Sequence, residues 1–71
     1  MKPQEMGTVI ARRRKSLRVN QRELAMLCGV SEHALCNLER GNGNPTIGLL
    51  GTVADALGME LKISVKDMEL S

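Results

Sequence analysis

The segment Asn20-Gln21-Arg22-Glu23-Leu24-Ala25-Met26-Leu27-Cys28-Gly29-Val30-Ser31 decides the fold. Asn20 has the short polar side chain that accepts hydrogen bonds from the free amides at a helix start. Glu23 stands three residues on, where its carboxylate can reach back to the Asn20 amide in a capping box. Leu24, Leu27 and Cys28 recur on one helical face, so a helix over 21–28 is expected to bury that face. Gly29 follows where a helix closes with a positive φ, a conformation glycine adopts without steric cost. Ser31 can cap a second helix. Two short helices joined by a glycine turn form a helix-turn-helix, a unit that lays its second helix in the major groove of DNA.

Helices are expected on both sides of this unit. The first runs from Glu5 or Thr8 to Ser16, with Met6, Val9, Ile10 and Leu17 as its inward stripe and Val19 closing the core beneath the loop. The recognition helix starts after Ser31 and ends near Arg40, with Gly41 just past its end and Ala34, Leu35 and Leu38 turned inward. Gly41-Asn42-Gly43-Asn44-Pro45 is a loop by its turn chemistry. Thr46 can cap a further helix, Ile47 to Leu57, stopped by Gly58. Gly48 and Gly51 each weaken that helix by ~1 kcal/mol relative to alanine, or else let another helix pack closely.

The tail changes period. Glu60-Leu61-Lys62-Ile63-Ser64-Val65-Lys66 alternates apolar and polar, the pattern of a half-buried strand. A lone strand leaves its backbone groups without partners. Pairing with the same strand of a second copy satisfies them across a two-fold axis, with Leu61, Ile63 and Val65 as the dimerisation residues. Asp67 to Ser71 are expected to fray. The chain therefore divides into a helical domain at 1–59 and a dimerisation strand and tail at 60–71. Its fold class is all-α, with four to five helices.

Composition narrows the partner. The 71 residues suffice for one small domain, which oligomerisation would help to stabilise. Phe, Tyr and Trp are absent, so aromatic stacking on single-stranded bases is excluded and a duplex is the nucleic acid of choice. Net charge is only +2, yet Arg12-Arg13-Arg14-Lys15 and Arg18 cluster early. Such a run is either a solvated helix face or, beside a helix-turn-helix, a phosphate-facing patch. No secretory signal and no apolar run of membrane-span length is visible. Cys28 and Cys36 are eight apart, outside paired metal or redox spacings, which fits a reduced, cytoplasmic protein. His33 and Cys36 share a helix face, but Cys28 points elsewhere and a fourth ligand is missing, so neither a metal nor another cofactor is expected. One histidine, no Ser-His-Asp pattern and no phosphate-cradling glycine loop argue against an enzyme.

With Ala34, Leu35 and Leu38 inward, the exposed positions of the recognition helix are Glu32, His33, Cys36 and Asn37. Asn37 can bond adenine N6 and N7 together, and Glu32 can accept from cytosine N4. His33 can donate to guanine or touch phosphate, and Cys36 can touch a thymine methyl. Each is otherwise an ordinary exposed residue. Asn20 can meet a phosphate at the helix start, although capping alone accounts for it. Arg14, four residues after Ile10, lies on the inward side of its helix.

Gln21-Arg22-Glu23-Leu24-Ala25, Cys28-Gly29-Val30-Ser31, Leu38-Glu39-Arg40-Gly41 and Asn44-Pro45-Thr46 together resemble the Cro/phage-repressor (XRE) helix-turn-helix family. The resemblance runs from about Val9 to Gly58 and implies a lambda-repressor-like domain. It implies base reading at the positions of Glu32, His33 and Asn37, and a backbone-phosphate contact at Gln21. It also implies phosphate contacts in the loop of Asn42 and Asn44, although Asn42-Gly43 stands where basic residues are frequent in the family. It pairs Arg14 with Glu39 as a partly buried structural ion pair, whose net contribution depends on desolvation. The implied function is a homodimeric, sequence-specific regulator of transcription, a repressor, bound to an inverted-repeat operator in double-stranded DNA. Thr46 to Lys66 also resembles the HipB-type antitoxins, which bind a kinase-like toxin as well as their own operator. A third reading is a protein-interaction module that keeps the scaffold and no longer binds DNA. Glu32, Cys36 and the uncharged loop favour it slightly.

Overall fold

A computed structural model describes residues 2–61. Four helices follow one another in it: α1 (Pro3–Ser16), α2 (Gln21–Cys28), α3 (Glu32–Arg40) and α4 (Ile47–Ala56). Among the described residues there is no strand. None of their helices is long and apolar enough to cross a membrane. The strand expected at 60–66 falls, from residue 62 onward, outside the described residues, as do Ile63 and Val65. Leu61 is exposed and non-helical.

Each helix begins and ends on local chemistry. The Asn20 side chain accepts from the Glu23 amide while the Glu23 carboxylate accepts from the Asn20 amide, at 2.7 and 3.0 Å. Ser31 accepts from the Ala34 amide and Thr46 from the Leu49 amide, both at 3.0 Å. α1 starts earlier than its polar residues suggest, because Pro3 occupies its first turn, where a missing N–H costs nothing. All four helices close in one way, with a residue of positive φ followed by an amide that reaches back five positions. The pairs are Val19 to Arg14, Val30 to Ala25, Asn42 to Asn37 and Met59 to Ala54. Glycine holds the left-handed position at 29, 41 and 58, but Arg18 holds it after α1 with φ 59°. A side chain there costs on the order of 1 kcal/mol, and no glycine marks the site in the sequence.

α1 packs on α3, and α2 packs on both α3 and α4. Ile10, Leu24, Ala25, Leu35, Leu38, Val53 and Leu57 form the core, and Met6, Val19, Cys28, Val30, Leu49, Leu50 and Met59 pack around it. Leu24, Leu35, Val53 and Leu57 are fully buried, each contributing roughly 1.5–3 kcal/mol.

Three inward assignments are corrected. Leu27 is 71% exposed. The buried arc of α2 centres between Leu24 and Ala25, and at about 100° per residue Leu27 lies about 60° beyond its Leu24 edge. Val9 and Leu17 are also exposed, at 36% and 43%, because the arc of α1 that meets α3 runs through Gly7, Ile10 and Arg14. Nor do Gly48 and Gly51 admit a neighbouring helix among the described residues: none of these stands over Gly51, and only the Thr46 hydroxyl stands near Gly48. Close packing occurs at Gly7, where a Cβ would collide with the carbonyls of Leu38 and Glu39, and at Gly41, where it would meet the Gln4 backbone at 2.8 Å. α1 thus lies directly on the C-terminal end of α3.

Candidate nucleic-acid interface

The capping box sets the start of α2. It leaves Asn20 exposed, with its side-chain oxygen engaged by the cap. Gln21, the first helical residue, is half-buried, and its Nε2 donates to Glu39 Oε1 at 2.9 Å. Glu39 comes from the last turn of α3 and also receives Arg14 from α1. Arg14 Nε reaches Oε2 at 2.7 Å and Nη2 reaches Oε1 at 3.0 Å. Arg14 Nη1 donates to the Val19 carbonyl at 2.8 Å. The Arg14 and Glu39 side chains are 9% and 6% exposed.

This geometry governs their protonation. Burial alone would push the Glu39 carboxyl up. The hydrogen bonds from Arg14 and Gln21 and the positive charges of Arg14 and Lys15 outweigh it and hold the group below the usual carboxylate range. The hydrogen bond to Glu39 likewise raises Arg14 against the effect of its own burial. Both groups stay charged at neutral pH, as a two-point guanidinium–carboxylate pair requires. The Gln21 bond to Glu39 is absent from the sequence reading. Nothing local signals it, since the partners lie 18 residues apart on different helices.

Leu35 and Leu38 anchor α3 in the core and turn Glu32 and His33 fully outward. Cys36 and Asn37 are half-buried, at the edge of the same face. The loop after α3 returns toward it: the Asn42 amide donates to the Asn37 carbonyl at 2.9 Å, and Asn37, Asn42 and Asn44 border one shallow depression. The structure therefore brings Asn37 together with Asn42 and Asn44, and Asn20 with Gln21. Arg40, exposed in the last turn of α3, adds a cation that residue-by-residue reading passed over.

The basic run divides. Arg14 is buried, and Arg13 Nε donates to the Leu57 carbonyl at 2.9 Å, closing the end of α4. Those two guanidinium groups serve the fold, so only Arg12, Lys15 and Arg18 of the cluster stay exposed without such a bond to the core. Cys28 and Cys36 are free thiols, and burial pushes the Cys28 thiol up. Among the described residues no three His, Cys, Asp or Glu side chains are grouped to hold a metal ion.

A chain with this architecture has known relatives. The model of the HTH_3 family, described as helix-turn-helix, matches residues 10–63. An uncharacterized HTH-type transcriptional regulator of Methanothermobacter thermautotrophicus is 40% identical over 55 residues, which are 78% of this chain and 80% of that protein. The uncharacterized HTH-type transcriptional regulator y4dJ of Sinorhizobium fredii is 39% identical over 54 residues, 76% of this chain and 70% of that protein. The crystal structure of the clp gene regulator ClgR from C. glutamicum superposes with a TM-score of 0.79 at 34% identity, over 83% of this chain and 76% of that one. An HTH_3 family transcriptional regulator from Vibrio cholerae superposes with a TM-score of 0.74 at 31% identity, over 82% of this chain and 33% of that one. The chain belongs to the HTH_3 (XRE-type) helix-turn-helix family of transcriptional regulators.

Proposed function

We propose that the protein is a homodimeric transcriptional repressor that binds an inverted-repeat operator in duplex DNA in the cytoplasm. The observation that carries this reading is the α2–Gly29–α3 unit. It offers an amide-rich helix start at Asn20 and Gln21 for phosphate, with exposed Glu32 and His33 and half-buried Cys36 and Asn37 at the edge of the same face for base edges. Asn42 and Asn44, beside Asn37, extend the phosphate contact. Repression needs no more than occupancy, because a domain seated in the groove excludes polymerase from the same DNA. Dimerisation through Leu61, Ile63 and Val65 sets two recognition helices one turn of duplex apart, ~34–36 Å. A HipB-type antitoxin would carry the same helical domain. Of the 46–66 segment that resembles such proteins, 46–61 lie within the described residues, as α4 and the turn after it, and the rest of the expected strand lies outside them.

Titration of the protein with random-sequence duplex DNA at several salt concentrations tests the proposal. A dimer making about six to eight phosphate contacts should give a log K versus log salt slope of roughly −5 to −7. Footprinting of the DNA upstream of its own coding region should then reveal a protected inverted repeat. A flat salt response would instead identify a protein-interaction module on a helix-turn-helix scaffold.

A further inference from the structure

Glu39 occupies an unusual position for an acidic residue in a domain that approaches phosphate. Its carboxylate sits within hydrogen-bond reach of the first residue of α2, where a phosphate oxygen would also lie. A bare carboxylate there would repel the DNA backbone. Arg14 cancels that charge with two bonds at 2.7 and 3.0 Å. Glu39 Oε1 is then left as an acceptor for the Gln21 amide at 2.9 Å.

We propose that Glu39 is a positioning residue for DNA binding, orienting the Gln21 amide toward phosphate and fixing its register against the base-reading face of α3. This rests on the reading of Gln21 as a phosphate contact. A primary amide nitrogen carries two hydrogens. One is committed to Glu39, which restricts the rotation of the side chain and leaves the other for a phosphate oxygen. Side-chain freedom that would otherwise be lost on binding is lost on folding instead. The same carboxylate belongs to α3, so the phosphate contact and the base contacts hang from one rigid element. Arg14 Nη1 holds the Val19 carbonyl, just ahead of the α2 cap, at 2.8 Å. One guanidinium therefore ties the end of the recognition helix to the start of the phosphate-facing helix.

The test is a double-variant cycle on binding to a random-sequence duplex, at fixed salt and at a temperature below the melt of every variant. In Glu39→Gln the charge is lost and an amide nitrogen replaces one carboxylate oxygen, so Arg14 loses an acceptor in either orientation and Gln21 is left with a neutral acceptor or none. Gln21→Ala should weaken binding roughly tenfold, the worth of a hydrogen bond to a charged group. Glu39→Gln should weaken it comparably, and the double variant should bind no worse than Gln21→Ala alone. If folded Glu39→Gln binds as tightly as the parent, or if its loss adds in full to that of Gln21→Ala, Glu39 serves only the fold and the proposal is overturned. If the parent binds duplex but Gln21→Ala matches it, the phosphate role fails while DNA binding stands. If the parent itself does not bind, the DNA-binding reading fails first. Should Glu39→Gln not fold, the side-chain amide resonances of Gln21 in the parent decide: they should move when duplex is added and when acid protonates Glu39. Resonances that stay fixed under both treatments overturn the proposal.

Discussion

Replacing Arg14 with alanine should be among the most damaging single changes in this domain, and the structure sets its size. The guanidinium makes three hydrogen bonds: two to Glu39 and one to the Val19 carbonyl. Its removal leaves Glu39 charged, with the Gln21 amide as its remaining hydrogen-bond donor and Lys15 as the remaining positive charge, on a side chain 6% exposed. Breaking a buried pair on one side costs about 3–5 kcal/mol, and this low exposure places the site in that range and not among surface pairs worth under about 1 kcal/mol. A domain of 71 residues holds only about 4–10 kcal/mol in total. At roughly 4–8 °C per kcal/mol, the melting temperature should fall by more than about 12 °C. Thermal unfolding followed by circular dichroism, on Arg14→Ala, Glu39→Ala and the double variant, measures this. The double variant should lose much less than the sum, because neither charge is stranded. Arg14→Met with Glu39→Leu should recover most of the loss. Single losses below about 1 kcal/mol, or losses that add within about 0.5 kcal/mol, would refute the reasoning.

Other consequences are open to measurement. Gly7→Ala should destabilise by about 1–3 kcal/mol, since its Cβ meets the Leu38 and Glu39 carbonyls, whereas Gly51→Ala should stabilise by ~1 kcal/mol with nothing above it; chemical denaturation that ranks the two the other way contradicts the packing described. Because the Glu39 carboxyl titrates below its unfolded value of about 4.3, its stabilisation is complete above that pH and disappears as pH falls through the folded value. Glu39→Gln should accordingly show a shallower loss of melting temperature between roughly pH 5 and 3, and an unchanged slope would mean that another carboxylate controls acid unfolding. Asn37→Ala should cost ~1–3 kcal/mol on the footprinted operator and little on random duplex; equal losses on both would make Asn37 a backbone contact. A chain ending at Met59 should sediment as a weaker dimer than the full chain at the same concentration, and equal dimer stability would remove the 60–66 strand from the interface.

The amino-acid sequence by itself determines where the helices of this protein begin and end. Asn20 with Glu23, Ser31 and Thr46 satisfy amides three positions away, and Gly29, Gly41 and Gly58 supply the left-handed closures. These contacts span a few residues, so they are legible without a fold. α1 is the exception at both ends: it starts at Pro3 with no side-chain cap, ahead of Glu5 and Thr8, and closes on Arg18, a left-handed closure that no glycine announces. Only the tertiary structure decides which way each helix faces and which polar groups it uses up. Apolar spacing admits Leu27, Val9 and Leu17 to the core, but each helix buries only the arc its neighbours meet, which on α1 runs through Gly7, Ile10 and Arg14 and on α2 through Leu24 and Ala25. The basic run looks uniform along the chain. In the fold, Arg13 closes α4 from 44 residues away, and Arg14 turns to Glu39. The bond between Gln21 and Glu39 exists only because α1, α2 and α3 converge on one carboxylate. Pairings of that kind depend on the relative placement of whole helices, which is a property of the packed core and not of any local stretch of sequence.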